Sequence, residues 1–244
     1  MKYMLWYSAK PGRQDELQAW LIGHFTETAL NWTPRVAGLR VNAAVPEPSG
    51  LELYGSSEKN SADVYDAIVE ITCSGEGVAK QLLMLNQPVA ESLIQHCHVY
   101  EVEEDEVINR LEATSGLPTQ GYKLMRGLFF FPDLPDSAVR RSWKHHQQLA
   151  IRVHTGLVRY ACIWVNRSLT PGAPPIQGVS VLHFPSVKDM RENYFDSARG
   201  RSEIIHDIGH FISRGTSRVF TKEFSYAADK TGDQGEPWSL WPLS

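Results

Sequence analysis

The sequence predicts an α+β fold built from two β-α-β-β-α-β repeats. Two aromatic-rich, strand-like segments, 2–7 and 123–131, begin alike, and each leads through a proline turn into a helical pattern. Two further strand-like segments, a second helical pattern and a closing strand then come next in both halves of the chain. This order is the ferredoxin-like split βαβ arrangement, present twice.

The elements of the first half are indicated by apolar periodicity and by the turns between them. Lys10-Pro11-Gly12 separates the first strand from a segment whose apolar residues recur every three or four positions, which predicts a helix. Runs rich in β-branched and aromatic residues favour the strands. The predicted order is strand 2–7, helix 14–30, strand 38–42, strand 64–71, helix 76–94 and strand 96–102.

The second half repeats this succession. Its first strand ends at Phe131-Pro132, and Gly156 is suited to end the next helix as a C-cap. The predicted order is strand 123–131, helix 136–154, strand 156–160, strand 178–184, helix 187–214 and strand 217–226.

The two halves are predicted to be separate repeats joined by an acidic linker. The organisation is a first repeat at 1–103, a linker at 104–121, a second repeat at 122–226 and a C-terminal tail at 227–244. A single ferredoxin-like unit leaves one face of its sheet bare, and a second copy in the same chain can cover that face. We therefore expect the two repeats to pack sheet to sheet as an internal pseudo-dimer.

The composition argues against several function classes. The chain has 244 residues, 42% of them hydrophobic, and its 24 basic and 28 acidic side chains give a formal charge of −4. It lacks the basic stripe of a nucleic-acid binder and the run of about 18 apolar residues that a membrane helix needs. The N-terminal segment does not resemble a signal peptide, and the three cysteines show no paired spacing. We expect a cytoplasmic protein with neither nucleic acid nor membrane as a partner.

Helical periodicity puts one histidine of each half on a sheet-facing helix surface. At about 100° per residue, His146 falls in the middle of the apolar face that contains Trp143, and His24 falls near the centre of the face that contains Leu21. An imidazole in an apolar cavity suits general acid–base catalysis, because its unperturbed pKa is about 6.5. The alternative is a buried histidine that bonds to a backbone carbonyl or to a tyrosine.

Strand alternation adds further candidates. Tyr160 and Trp164 share one face of their strand, and Arg159 points to the other. Tyr160 can donate a hydrogen bond to a substrate oxygen. Arg159 can hold a carboxylate or pair with an acidic group between the two sheets, and we favour the second role. His183 shares its face with two valines, which predicts a buried or cavity-lining imidazole.

A metal site is not favoured. His206 and His210 are four residues apart on a predicted helix, but both fall opposite its apolar stripe, and no HExxH-type motif accompanies them. Asp207 either holds its helix in place or orients a base, and the first role is favoured.

The second half carries a recognisable pattern. Its elements are the helix sequence Trp143-Lys144-His145-His146-Gln147-Gln148-Leu149, the strand sequence Gly156-Leu157-Val158-Arg159-Tyr160, then Tyr194-Phe195-Asp196-Ser197, Asp207 and Phe211. This pattern, over about 122–226, resembles the EthD-like branch of the dimeric α+β barrel superfamily. The first half keeps only Trp20, His24 and Gly38-Leu39-Arg40.

The resemblance implies a barrel whose pairing, usually made between two chains, is internal here. The superfamily includes lactone isomerases, polyketide cyclases, dehydratases, cofactor-free monooxygenases and, more remotely, haem proteins. The fold is therefore a weak guide to the reaction. Internal pairing also removes the usual need for a homodimer, although a homodimer stays open.

The leading hypothesis is a cofactor-independent lyase or isomerase that acts on a small hydrophobic cyclic or aromatic compound. Proton abstraction next to a carbonyl would lead to dehydration, a double-bond shift or ring closure. The alternatives are a haem- or metal-binding enzyme of the same fold and a non-catalytic small-molecule-binding protein. The candidate catalytic residues are His146, Tyr160, His24 and His183, and the candidate substrate-binding residues are Trp143, Trp164, Arg159 and Tyr194.

Overall fold

The first repeat consists of four strands with helices between them. The computed structural model describes residues 1–32, 36–51, 64–73 and 78–227. The elements of the first repeat are β1 (Lys2–Ala9), α1 (Gln14–Trp20), a π-helical segment (Leu21–Phe25), α2 (Thr26–Trp32), β2 (Val36–Ala44), β3 (Ala67–Cys73), α3 (Val78–Leu85), α4 (Gln87–Ala90) and β4 (Ile94–Asn109).

The second repeat has the same order with one additional short strand. Its elements are β5 (Tyr122–Phe130), α5 (Asp136–Val153), β6 (Arg159–Ser168), β7 (Gly178–Phe184), α6 (Val187–Glu192), α7 (Ala198–Ile208), β8 (Ile212–Gly215) and β9 (Val219–Ala227).

The strands form one antiparallel sheet that closes on itself. Within the repeats the strand orders are β4-β1-β3-β2 and β9-β5-β7-β6, which is the ferredoxin-like order in both. The pairs β2–β9 and β4–β6 join the two repeats at their edges. The predicted α+β fold of two packed repeats is therefore confirmed, and eight of the strands form a closed barrel within one chain.

Three apolar clusters result from the alternation of side chains along the strands. Met4 and Trp6 on β1 point into the barrel, where they pack with apolar residues of both repeats. Leu5 and Tyr7 point outward against the helices of the first repeat. A corresponding outer cluster lies beneath the helices of the second repeat. In both repeats the sheet is therefore buried on both faces.

The helix predicted at 14–30 contains a π-helical turn. Leu17, Leu21, Phe25 and Ala29 are buried at a strict spacing of four residues. The wider turn at Leu21–Phe25 changes the phase of the helix, so a constant 100° per residue misplaces the side chains in and after this turn. The expected burial of His24 is therefore wrong, because His24 is exposed.

The helix predicted at 187–214 is two helices and a short strand. Ser186 Oγ accepts a hydrogen bond from the Asp189 amide, and Ser197 Oγ accepts one from the Gly200 amide. These two N-caps start α6 and α7 separately. The residues after α7 form β8 on the edge of β5. Similarly, the helix predicted at 76–94 is divided into α3 and α4, with a proline in the first turn of α4.

The closing strand of the first repeat is longer than the prediction of 96–102. β4 continues to Asn109 and pairs with β6, so residues 104–109 of the predicted linker are part of the barrel. Residues 228–244 of the predicted tail lie outside the described residues. Among the described residues, no helix is both long and apolar enough to cross a membrane.

Candidate active site

A histidine–aspartate pair joins two helices of the second repeat. α5 buries one face against the sheet and carries His146, which is 6% exposed. His146 Nδ1 lies 2.6 Å from Oδ2 of Asp207 on α7. The ring of Phe211 packs edge-on against the imidazole at 5.9 Å between centroids. The imidazole therefore has one polar and one apolar neighbour.

The Asp207 carboxylate determines which ring nitrogen of His146 carries the proton in the neutral imidazole. The hydrogen bond from His146 lowers the pKa of Asp207 below its usual value, so Asp207 is ionised at neutral pH. An ionised carboxylate only accepts hydrogen bonds, so Nδ1 of His146 is the donor. In the neutral imidazole the lone pair is then on Nε2. This arrangement suits a general base.

Aromatic side chains fill the space between α5 and the sheet. The rings of Trp143 and Trp164 meet edge to face at 4.5 Å, and Phe130 packs against Trp143 at 5.5 Å. The Arg140 guanidinium lies 4.5 Å from the centroid of Trp164. Trp143 is 1% exposed, whereas Trp164 is half-buried. Trp164 is thus the tryptophan of this pair that is accessible from outside.

Tyr160 and Tyr194 belong to the same outer cluster. Cys162 Sγ donates a hydrogen bond to the Tyr160 hydroxyl over 3.3 Å, and burial raises the pKa of Cys162 to about 12. The thiol is therefore protonated at neutral pH and is a poor nucleophile. The Tyr194 carbonyl accepts a hydrogen bond from Nδ1 of His154, whose pKa burial lowers to about 4.

Arg159 and His183 lie on the opposite face of the sheet, inside the barrel. Arg159 contacts Glu104 at 2.6 Å, Glu106 at 2.9 Å and Glu223 at 3.2 Å. The favoured pairing of Arg159 with acidic groups between the sheets is therefore confirmed. These residues are part of a barrel-end cluster, whose members are Lys2, Arg40, Glu70, Glu104, Glu106, Lys123, Arg159 and Glu223.

His183 is buried, as its strand face predicts. Its Nε2–H donates to the Gln120 carbonyl over 2.9 Å, and burial lowers its pKa to about 4. His183 is therefore neutral at pH 7. His146, Tyr160, Trp143, Trp164 and Tyr194 all lie on the outer face, whereas Arg159, His183 and His24 lie elsewhere.

Sequence reasoning missed most of the barrel-end cluster. The signal was available, because Lys2, Glu70 and Lys123 alternate with apolar residues and so share the inner face with Met4, Ile68 and Met125. Charged residues in otherwise apolar strands were the only indication. The contact of Asp207 with His146 joins α7 to α5, so it agrees with the favoured role of holding the helix in place and is also compatible with orienting a base.

Three of the cavities in the described part of the chain border residues discussed above. One of 280 Å³ lies at the barrel end and is lined by Lys2, Arg40 and Arg159 among others. Two others, of 420 and 150 Å³, share Arg140 and Trp164 in their walls. None of the nine histidines lines any of these three cavities.

The three buried histidines do not fit an axial haem or metal role. His146, His154 and His183 are buried and hydrogen-bonded within the protein, and none of them borders one of the three cavities. His206 and His210 are exposed, and His210 Nδ1 bonds to the His206 carbonyl at 2.8 Å. The described residues contain no group of three His, Cys, Asp or Glu side chains arranged to hold a metal ion.

Comparison with known proteins identifies the fold. No protein-family model matches the chain, and no curated protein matches it. An anthrone oxidase-like protein is similar in structure, with a TM-score of 0.60 and 14% identity over 96% of this chain and 95% of its own. A monooxygenase-like protein from Fusobacterium nucleatum has a TM-score of 0.55 and 9% identity over 93% of each chain.

A third similar structure is a variant of the chlorite dismutase from Candidatus Nitrospira defluvii. Its TM-score is 0.54 and its identity 9%, over 91% of this chain and 90% of its own. The protein therefore has the dimeric α+β barrel fold, formed by two repeats of a single chain. Identities this low indicate the fold alone.

Proposed function

We propose that the protein is a cofactor-independent enzyme of the EthD-like type. It removes a proton next to a carbonyl of a small cyclic or aromatic compound. His146 is the base in this proposal, and Asp207 orients it. The observation that carries the proposal is the 2.6 Å contact between His146 Nδ1 and Asp207 Oδ2, which leaves Nε2 as the basic atom.

The surrounding side chains suit an aromatic substrate. Tyr160 is proposed to stabilise the developing enolate oxygen by a hydrogen bond. Trp143 and Trp164 provide flat apolar surface for a ring. His146 and Tyr160 are 6% and 2% exposed, so the proposal requires side chains around the half-buried Trp164 to move when substrate enters. The two cavities that border Trp164 provide the space into which a substrate would first enter.

Two fates of the carbanion are compatible with this chemistry. In a lyase or isomerase, the carbanion is reprotonated elsewhere, expels water or closes a ring. In an oxygenase, it adds O2 to give a hydroperoxide, which loses water and leaves a ketone. The likeness to anthrone oxidase-like and monooxygenase-like proteins favours testing the second fate with anthrone, which would consume one O2 and release one water per anthraquinone formed.

The test is an assay of anthrone consumption with and without O2, on the wild type and on His146→Ala. We expect kcat to fall by about 10²–10⁴ in the variant. The matched control is His145→Ala, because His145 is the adjacent residue of α5 and is exposed. A folded His146→Ala variant with wild-type turnover contradicts the proposal.

Other substrates and measurements address the alternatives. If anthrone is not consumed, cyclic enones, lactones and hydroxylated rings are the next substrates. Binding without turnover of any of them favours a non-catalytic binding protein. An absorption spectrum and metal analysis of the same sample test the haem and metal alternative directly.

A further inference from the structure

Arg40 and Arg159 occupy matching strands of the two repeats, but their surroundings differ. Each lies on the second strand of its repeat and points into the barrel end. Arg159 is 1% exposed and contacts three carboxylates at 2.6–3.2 Å. Arg40 is 29% exposed, and its two ionic contacts with described residues, Glu70 and Glu104, are 3.5 and 3.7 Å long. Strong guanidinium–carboxylate bonds are about 2.7–2.9 Å long, so these contacts leave the donors of Arg40 largely unused.

The carboxylates of the barrel-end cluster are satisfied without Arg40. Glu70 contacts Lys2 at 2.6 Å and is also bonded to Lys123. Glu223 contacts Lys123 at 2.8 Å. Glu104 and Glu106 are held by Arg159 at 2.6 and 2.9 Å. Arg40 is therefore a cation of this cluster with capacity for a further anionic partner.

Arg40 opens onto the 280 Å³ cavity. This cavity lies at the barrel end, next to the end of β4 and the residues 110–115 that follow it, and its wall combines charged, polar and apolar groups. Leu111, Tyr226 and three alanines provide the apolar part, and Ser115 and Ser225 provide hydroxyls. Glu70 and Glu223 also line the cavity, and both are paired with the buried Lys123. The volume is just below the usual range for small-molecule sites, about 300–1,000 Å³, so the ligand must be small.

We propose that the barrel-end cavity binds a small organic carboxylate. The Arg40 guanidinium donates two N–H groups to the carboxylate oxygens, and the leucine, tyrosine and alanine side chains contact the apolar part of the ligand. Lys2 has one N–H beyond those used by Glu70 and Glu104, which adds a donor to the cavity. This site is at the barrel end and is separate from the outer face of the second repeat that carries His146.

The test is calorimetric titration of the full-length protein with benzoate, with benzamide as the neutral isostere. Benzoate is expected to bind, and Arg40→Gln is expected to weaken its binding about tenfold or more, because two charge-assisted hydrogen bonds are lost. Arg40→Lys, which keeps the charge but not the planar fork, is expected to bind with intermediate affinity. Arg167→Gln is the matched control, because Arg167 is 67% exposed and pairs with Glu101 outside the cavity.

Three results would overturn the proposal. They are no benzoate binding up to about 10 mM, unchanged affinity in a folded Arg40→Gln variant, and equal affinity for benzamide. Thermal melting checks the fold of each variant, and Arg40→Lys provides the comparison if Arg40→Gln does not fold. His146→Ala is expected to retain benzoate affinity, so this proposal and the proposed activity can fail independently.

Discussion

Gly178 on β7 lies directly beneath the indole of Trp143 on α5. A Cβ at this glycine would come within 2.6 Å of Cζ3 of Trp143 and 2.9 Å of Cζ of Phe130. The glycine has no positive φ, so close approach rather than backbone conformation requires it. This contact sets how closely the helix that carries His146 can approach the sheet.

Replacing Gly178 by alanine is therefore expected to destabilise the protein. Overpacking of this kind costs about 1–3 kcal/mol, because the tryptophan or the helix must shift. Urea unfolding measures the change. The control is Gly23→Ala in the π-helical segment, where a Cβ meets nothing within 4 Å and where the free energy of unfolding should stay equal or rise. Equal stability of Gly178→Ala and wild type would show that the indole does not fix the helix.

Asp207→Asn is expected to lower kcat strongly while the protein stays folded. An asparagine amide can donate to Nδ1, which moves the imidazole proton to Nε2 and removes the basic lone pair. The loss in anthrone turnover should be about 10²–10⁴. Glu203→Gln on the same helix is the control, because that carboxylate contacts Arg199 at 2.8 Å and not His146. An equally large loss of turnover in Glu203→Gln would show that a change in helix α7, and not the tautomer of His146, causes the loss.

Lys123→Met is expected to destabilise the protein by about 3–5 kcal/mol, because it leaves buried carboxylates without their cation. Lys123 is fully buried, and it contacts Glu70, Glu223 and the Asn42 amide oxygen. Adding Glu223→Gln should recover part of the loss. The control, Lys144→Met, removes an exposed pair with Asp105 and should change stability by about 1 kcal/mol or less. Equal losses of unfolding free energy in Lys123→Met and Lys144→Met would show that the buried ion pairs of Lys123 do not stabilise the protein more than an exposed pair does.

The free energy of unfolding should fall over two successive pH ranges as the solution is acidified. Burial lowers the folded-state pKa of His183 to about 4, below its unfolded value of about 6.5, so its contribution is present above pH 6.5 and is lost as the pH falls toward 4. Burial opposes ionisation of Glu223, but Lys123 and Arg159 outweigh it and lower the pKa of Glu223 to about 2. The contribution of Glu223 is therefore lost between about pH 4.5 and 2.

His183→Gln removes the His183 part of the first range, to which the buried His154, with its pKa of about 4, also contributes. Glutamine keeps an N–H donor for the Gln120 carbonyl but does not titrate, so unfolding free energy should depend less on pH between 6.5 and 4. The expected difference across this range is roughly 1–3 kcal/mol. Urea unfolding at several pH values measures it, with His145→Gln as the exposed control. Parallel curves for wild type and His183→Gln would contradict the assignment.

The succession of strands was predictable because the strands are short runs rich in β-branched and aromatic residues, separated by turn residues and helical patterns. Helix boundaries were less predictable. Nothing in the spacing of Leu17 and Leu21 distinguishes a π turn from a regular helix, and the cap at Ser197 lies within the periodicity that predicted one helix at 187–214. Burial of His146 was predictable from its helix face, but its contact with Asp207 depends on how α5 packs against α7, which periodicity alone does not specify.

The joining of both repeats in one chain changes the set of side chains that the barrel interior can hold. In a two-fold symmetric homodimer every interior side chain is present twice, in identical surroundings. Here the second strands of the two repeats differ: Arg40 on β2 lies opposite Glu70 of β3, whereas Arg159 on β6 lies opposite His183 of β7. Two repeats of one chain can differ in this way, and two identical subunits cannot. Covalent linkage therefore allows the matching strands to carry arginines with different roles: Arg159 holds the barrel end together, while Arg40 is left available to a ligand.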